Sequence, residues 1–426
     1  ITAWRKDHTD SVIDFDSLAI DDFDAPVTYR NQQFSQELQL LYQSDRLNGV
    51  IGFYYLDAKA GNDFDVVLGQ LGRLVYGAPL TSYTGGSVNT KAWSLFTDFS
   101  YDLTDQLSFT LGGRYTSDKR EADIFRANYL GNGSPFFGNQ NAIFLAATSD
   151  YQASRTFHNF SPRAVISYKP ISNLNLYASW SRGFKAGSFD PRGANFSTPD
   201  VVKGYAPEIL DSYEAGIKAR FGGSYVNIAG FYSDYRDLQV PGSLPIDTNG
   251  DGIDDSFVGA VTNAGKAVIK GVELEGSLRL MPGLNLIANG SLLDPAYKTF
   301  MVNGVNVAHL RRIQNTPKFQ SYVALAYATE LGAGRINLTG SWSHKSAITQ
   351  FETPTPDIDQ KAYDLFDASM VWNLDNGLSL GVHGKNLANR HYKTSGYYFP
   401  TLGLENNVTA FFGAPRTVTF TLGYHF

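Results

Sequence analysis

Cysteine is absent from this chain of 426 residues. That excludes a disulfide scaffold, a thiolate metal site and a cysteine nucleophile, and it names no compartment. Charge is scarce as well. Asp, Glu, Lys and Arg make up 18% of the chain, against roughly 25% in soluble domains. There is no basic excess: 35 Lys and Arg stand against 41 Asp and Glu, a net charge of −6. No nucleic-acid partner is expected, because that binding needs a basic face. The mean hydropathy is −0.22, and no apolar run approaches the roughly 18 residues of a transmembrane helix. Neither an initiator Met nor a signal peptide opens the chain. Ile1-Thr2-Ala3-Trp4 already reads as strand, so a fragment or processed piece is expected. Catalytic motifs are missing too: no G-x-S-x-G, no H-E-x-x-H and no P-loop. The seven His have no metal-ligand spacing. The chain is therefore expected not to be an enzyme.

What is abundant is aromatic and alternating. Phe, Trp and Tyr reach 14%, and there are 41 Gly. Val418, Phe420, Leu422, Tyr424 and Phe426 share one face of the last segment, and Thr417, Thr419, Thr421, Gly423 and His425 share the other. Successive side chains on a strand point to opposite sides, so this is a strand with one apolar and one polar face. The same period recurs around Trp93–Tyr101, Leu174–Trp180 and Ile336–Trp342. Arg114, Arg163, His383 and Lys385 fall on the polar sides of their strands. They read as a hydrated wall or as a guide for an anionic solute.

Connections alternate in length. Short turns fall at 44–46, 102–105, 169–172, 222–223, 281–282, 330–332 and 374–376. Long polar loops are expected at 5–31, 60–90, 121–154, 186–209, 239–265, 294–316, 346–360 and 391–413. Loops that long are uncommon in a compact soluble domain, and here they come on every second connection. That asymmetry belongs to an outer-membrane β-barrel, with tight turns on one side and long loops on the other. A membrane also demands closure, since every backbone polar group must pair within the protein. The expected fold is all-β, a transmembrane antiparallel β-barrel with about 16 strands present. A complete barrel of that size would be a passive porin-type diffusion channel. A soluble all-β protein is the remaining architecture.

Several stretches carry a family resemblance. Phe160-Ser161-Pro162-Arg163 leads to Tyr177-Ala178-Ser179-Trp180-Ser181-Arg182-Gly183-Phe184. Tyr213-Glu214-Ala215-Gly216, Asn263-Ala264-Gly265-Lys266 and Lys270-Gly271-Val272-Glu273 follow. Asn386-Leu387-Ala388-Asn389-Arg390 and Pro415-Arg416-Thr417-Val418 close the series. In order and spacing the chain resembles the C-terminal barrel portion of TonB-dependent outer-membrane receptors. Barrels of that kind have 22 strands and a plugged lumen. The resemblance implies that residues 1–426 form one outer-membrane barrel domain, without the N-terminal plug, the TonB box and the first strands. It further implies active uptake of a large, scarce nutrient, such as an iron–siderophore complex or a glycan fragment. The implied partners are outer-membrane lipid, the TonB system through a plug, and the barrel assembly machinery.

Three candidate sites remain. Asp247-Thr248-Asn249-Gly250-Asp251-Gly252-Ile253-Asp254-Asp255 copies the first nine positions of a calcium loop. Asp247, Asn249 and Asp251 supply positions 1, 3 and 5, the Ile253 carbonyl position 7, and Asp255 position 9. Val258 replaces the bidentate Glu, so weak binding of external Ca2+ or a plain polar turn is expected. Tyr397, Tyr398, Phe399, Phe411 and Phe412 form a ring-rich pair of segments, either an aromatic girdle or a stacking surface for a ligand. Phe426 ends an apolar ladder and reads as an assembly signal or a girdle residue. Asn386, Asn389 and His391 read as polar groups pairing at the rim, in a structural role.

Overall fold

The computed structural model describes residues 1–246, 256–263, 265–302, 304–399 and 407–426. The calcium-loop reading at 247–255 lies outside these described residues.

The chain is all-β and antiparallel, with one short α-helix among the described residues. The first strands are β1 (Thr2–Asp14), β2 (Asp24–Gln43), β3 (Leu47–Leu68), β4 (Leu80–Asp102) and β5 (Leu107–Leu130). Next come β6 (Ile143–Ile171), β7 (Leu174–Lys185), β8 (Glu208–Phe221) and β9 (Ser224–Arg236). A hairpin of β10 (Gln239–Ile246) and β11 (Ser256–Asn263) stands outside the main sheet. Then follow β12 (Gly265–Met281), β13 (Leu284–Val302), the two-residue β14 (Val305–Asn306), β15 (Phe319–Glu330) and β16 (Gly334–Lys345). β17 (Tyr363–Leu374) and β18 (Leu378–Lys385) precede a second free hairpin, β19 (Lys393–Phe399) with β20 (Asn407–Phe412). β21 (Thr417–Tyr424) ends the sheet.

The main sheet has 17 strands, β14 among them. Its long strands form a meander: β1 to β9 pair in chain order, β9 pairs β12, and the pairing runs on to β18 and β21. Among the described residues no ladder joins β1 to β21, so the sheet is open at that seam.

Register turns the sequence alternation into two faces. Leu38, Phe53, Leu95, Tyr115 and Phe160 are successive partners in one row. The neighbouring row on the other face holds Gln39, Gly52, Phe96, Arg114 and Ser161. The first row is the outer, apolar face and the second is the inner one. Gly52 is required on that inner face, because a Cβ there would sit 2.1 Å from the Phe96 ring. The bare backbone lets the ring lie against the wall. The Arg114 guanidinium then stands 5.3 Å from the Tyr54 ring centroid and 5.6 Å from that of Phe96.

The short turns fall at the chain reversals of the sheet. The long excursions need correction. Residues expected as loop at 5–31, 60–90 and 121–154 are largely strand, because β1 to β6 keep pairing well past the segments with one apolar and one polar face. At that end of the sheet both faces meet water or folded loops, so apolar alternation fades while backbone pairing persists. Glu121, Asp123 and Arg126 are such strand residues. The stretch 60–90 also holds the helix α1 (Gly69–Tyr76), closed by Gly77 at φ 73°, the left-handed cap that glycine supplies without strain.

Candidate ligand site at the mouth of the lumen

The connection from β7 to β8 leaves the wall and turns inward. Its neck is closed by Tyr205, whose N–H donates to the Ser188 carbonyl at 2.9 Å. Phe189 is 4% exposed, packed on Ala122, Ile124 and Tyr151. Ile124 lies an even number of residues from Arg114 on β5, so the connection rests on the inner face of β5 and β6. The Asn195 side-chain carbonyl accepts from Ser149 Oγ at 2.8 Å and from the Asp150 N–H at 2.9 Å. Arg155 donates to the Lys203 carbonyl at 3.1 Å.

The fastened connection carries Asp190-Pro191-Arg192 across to the inner face of β1, β2 and β3. There it encloses a cavity of about 460 Å3, bounded by Phe15, Phe23, Tyr29, Phe64, Asp190 and Arg192. The ends of the cavity differ in chemistry. The rings give an apolar body. Asp190 holds Arg192 as a fork, with Nε to Oδ1 at 3.0 Å and Nη2 to Oδ2 at 2.7 Å. That hydrogen-bonded carboxylate raises the Arg192 pKa above its ordinary value, so the cation is present at every physiological pH. Its side chain remains 39% exposed.

Arg126 braces the turn from below. Its Nε donates to Thr84 Oγ1 at 2.9 Å and its Nη1 to the Arg192 carbonyl at 2.6 Å. Burial depresses its pKa, against the pull of Asp190. Tyr151 has its hydroxyl pushed up to about 12, by burial first and then by Asp190. Ring faces around a pre-oriented guanidinium suit a ligand that combines flat apolar surface with anionic oxygens.

The ring-rich segments predicted from sequence lie on β19 and β20. Tyr397 and Phe411 meet edge to face at 5.6 Å, and Tyr397 also packs on Phe15 of the cavity at 4.8 Å. Tyr398 and Phe412 are exposed, and the Phe399 side chain is outside the description. Asn386 takes the structural role expected of it. It is buried at φ 49°, donates to the carbonyls of Arg390 and Ala414 at 2.9 and 3.0 Å, and accepts from the Arg390 N–H at 2.7 Å. Asn389 accepts from the Arg416 N–H at 3.0 Å. Arg163 pairs with Asp98 at 2.7 Å on the inner wall. Phe426 follows β21, fully exposed beside Tyr424.

Sequence reading missed Phe15, Tyr29, Phe64 and Arg192, because they come from segments read as loop. The alternation of Phe23, Ala25, Val27 and Tyr29 was the available signal.

Known proteins share this architecture. The family described as TonB dependent receptor-like, beta-barrel matches residues 2–387. The pesticin receptor of Yersinia enterocolitica is 23% identical over 411 residues, covering 93% of this chain and 52% of the relative. The ferric yersiniabactin uptake receptor of Yersinia pestis superposes with a TM-score of 0.75 at 19% identity, over 100% of this chain and 58% of that one. The ferric-catecholate import receptor of E. coli gives 0.64 at 13% identity, over 100% and 60%. The chain spans about half the length of the curated relatives it matches. An open-ended meander of long strands, apolar outside and polar within, and a family match over nearly its whole length agree: the chain belongs to the TonB-dependent receptor-like β-barrel family of the Gram-negative outer membrane.

Proposed function

We propose that the chain is the wall and outer mouth of a receptor that captures a bulky, scarce nutrient, an iron–siderophore complex foremost. The carrying observation is the ring-lined cavity with Arg192 fixed at its edge, on the long-loop side of the sheet. Ferric siderophores join flat or greasy surface to anionic oxygens, which this cavity complements. The relatives named for ferric yersiniabactin and ferric catecholate support the same class. In this reading about sixteen strands cross the bilayer as part of a larger closed barrel. Ligand binding outside is followed by movement of a plug, driven through TonB and the proton-motive force. The plug and the TonB contact enter from the family.

Titration of the native outer-membrane protein with a ferric catecholate complex tests the capture step. Arg192→Gln and Phe64→Ser are each expected to weaken binding roughly tenfold, the scale of one lost charge-assisted or ring contact. Binding unchanged in both variants rejects this cavity as the site.

One observation favours a second reading. The β7–β8 connection folds onto the inner wall, as a constriction loop does in a porin-type passive channel. A steady open-channel current from the native protein in planar bilayers would favour that channel over the receptor.

A further inference from the structure

The outer face of β7, β8, β9, β12 and β13 carries a hollow. Ala178, Ala215 and Gly230 are successive cross-strand partners in one row, and Val272 and Leu292 continue it. Two alanines and a glycine side by side leave a depression of about 860 Å3 in the lipid-facing wall. The next row toward the loops holds Trp180, Tyr213, Tyr232, Lys270 and Asp294. Its two tyrosines border the hollow on the side of the long loops, as aromatic side chains do where a barrel wall meets headgroups.

Charge gathers immediately above. Asp211 is 8% exposed and takes Arg182 through Nε at 2.9 Å and Nη2 at 3.0 Å, and Arg236 besides. Lys270 reaches Asp294 at 3.2 Å. Arg182, Arg236, Lys266 and Lys270 face Asp211, Asp234 and Asp294 on the same surface, four cations against three anions. Arg182, Arg236 and Lys270 keep 35%, 38% and 55% of their side-chain surface exposed.

We propose that this surface binds a phosphorylated lipid of the outer leaflet, with an acyl chain in the hollow and its phosphate against Arg182, Arg236 and Lys270. The inference rests on the outer-membrane placement and not on the uptake reading. A chain that moves from lipid to this wall gains contact, not hydrophobic free energy. Selection therefore falls to the phosphate, which accepts forked, charge-assisted hydrogen bonds from guanidinium. Exposed cations at headgroup depth supply that contact, and the small-residue row supplies the shape.

Gly230 offers a direct test. A Cβ there would meet nothing nearer than the Gly271 carbonyl oxygen at 3.9 Å, so Gly230→Leu fills the hollow without a backbone clash. Gly340, also on the outer face, has nothing within 4 Å, and Gly340→Leu is the matched control. The native protein is purified in detergent, its folding checked by heat-modifiable gel migration, and offered bis-phosphorylated lipid A or phosphatidylcholine. Bound lipid is counted by native mass spectrometry. Lipid A is expected to bind wild type and Gly340→Leu alike. Its occupancy should fall at least about fivefold in Gly230→Leu and in the double variant Arg182→Gln with Lys270→Gln. Phosphatidylcholine should bind all four weakly. Full lipid A occupancy in either test variant, or equal binding of phosphatidylcholine by wild type, overturns the proposal.

Discussion

The Asn407 side-chain amide donates to the backbone carbonyl of Asp16, a residue 391 positions earlier in the chain. Thr409 Oγ1 donates to the same carbonyl at 3.2 Å. The hairpin β19–β20 thus lies on the turn between β1 and β2. Since β21 closes one edge of the sheet and β1 the other, the contact brings both edges together at the outer rim. The meander has curled round, and loops tie it where no ladder does.

This contact gives a crosslinking prediction. The chain supplies no competing thiol. Phe15→Cys with Tyr397→Cys, at positions whose rings lie 4.8 Å apart, is expected to be joined by a short bifunctional thiol reagent on intact cells. The joined product should show altered gel migration that neither single variant shows. Failure to crosslink would mean that the hairpin sits elsewhere.

Asp65 makes a pH prediction. It is fully buried near the outer end of β3, and its Oδ2 accepts the Ser134 N–H at 2.7 Å, which holds down the 131–142 connection. Burial raises its pKa, opposed by Ser134. The folded state therefore binds the proton more tightly than the unfolded state, whose value is about 3.9. Loop docking is strongest below that value, weakens as pH rises through the window up to the folded pKa, and is level above it. Asp65→Asn keeps the acceptor and removes the titration. Hydrogen-exchange protection at Ser134, corrected for intrinsic rates, should lose its acid-range slope in the variant. An unchanged slope would assign the pH dependence to another group.

Asn386→Ala should be costly. It removes three side-chain hydrogen bonds from a buried site and leaves alanine at φ 49°. At about 1 kcal/mol for each bond, plus strain in the left-handed region, a loss of roughly 3–5 kcal/mol is expected. Asn386→Gly relieves the strain alone and should lose less. Urea unfolding in detergent, followed by the folded band on a gel, ranks the two. Equal losses would argue that strain contributes nothing.

Phe426→Asp places a charge at the end of the ladder Phe420, Leu422, Tyr424 and Phe426. We expect less assembled barrel in the outer membrane at unchanged synthesis, measured by fractionation beside a total-protein blot. Wild-type levels in the membrane would leave Phe426 as an ordinary girdle residue.

Much of the site was out of sequence reach for one physical reason. Alternation reports a difference between the two faces of a strand. It is strong at Trp93, Leu95, Phe99 and Tyr101, where lipid meets one face and water the other. It fades at Lys59, Asn62 and Asp63, where pairing continues in water. Phe64 sits in that silent region, Tyr29 ends a short alternation inside a stretch read as loop, and Arg192 sits in a connection with no period at all. Asn386 was legible as structural, since an Asn-rich turn after a strand has few other uses, but its three side-chain hydrogen bonds were not.

By itself the sequence determined the class of fold, the two-faced strands and the positions of the short turns. Those depend on local period and turn chemistry, which neighbouring residues carry. The tertiary structure decided where strands end above the bilayer, that the β7–β8 connection turns inward, and that Arg192 lines one cavity with Phe64 and Phe15. Such contacts join residues more than a hundred positions apart, and only the curvature of the paired sheet brings them within reach.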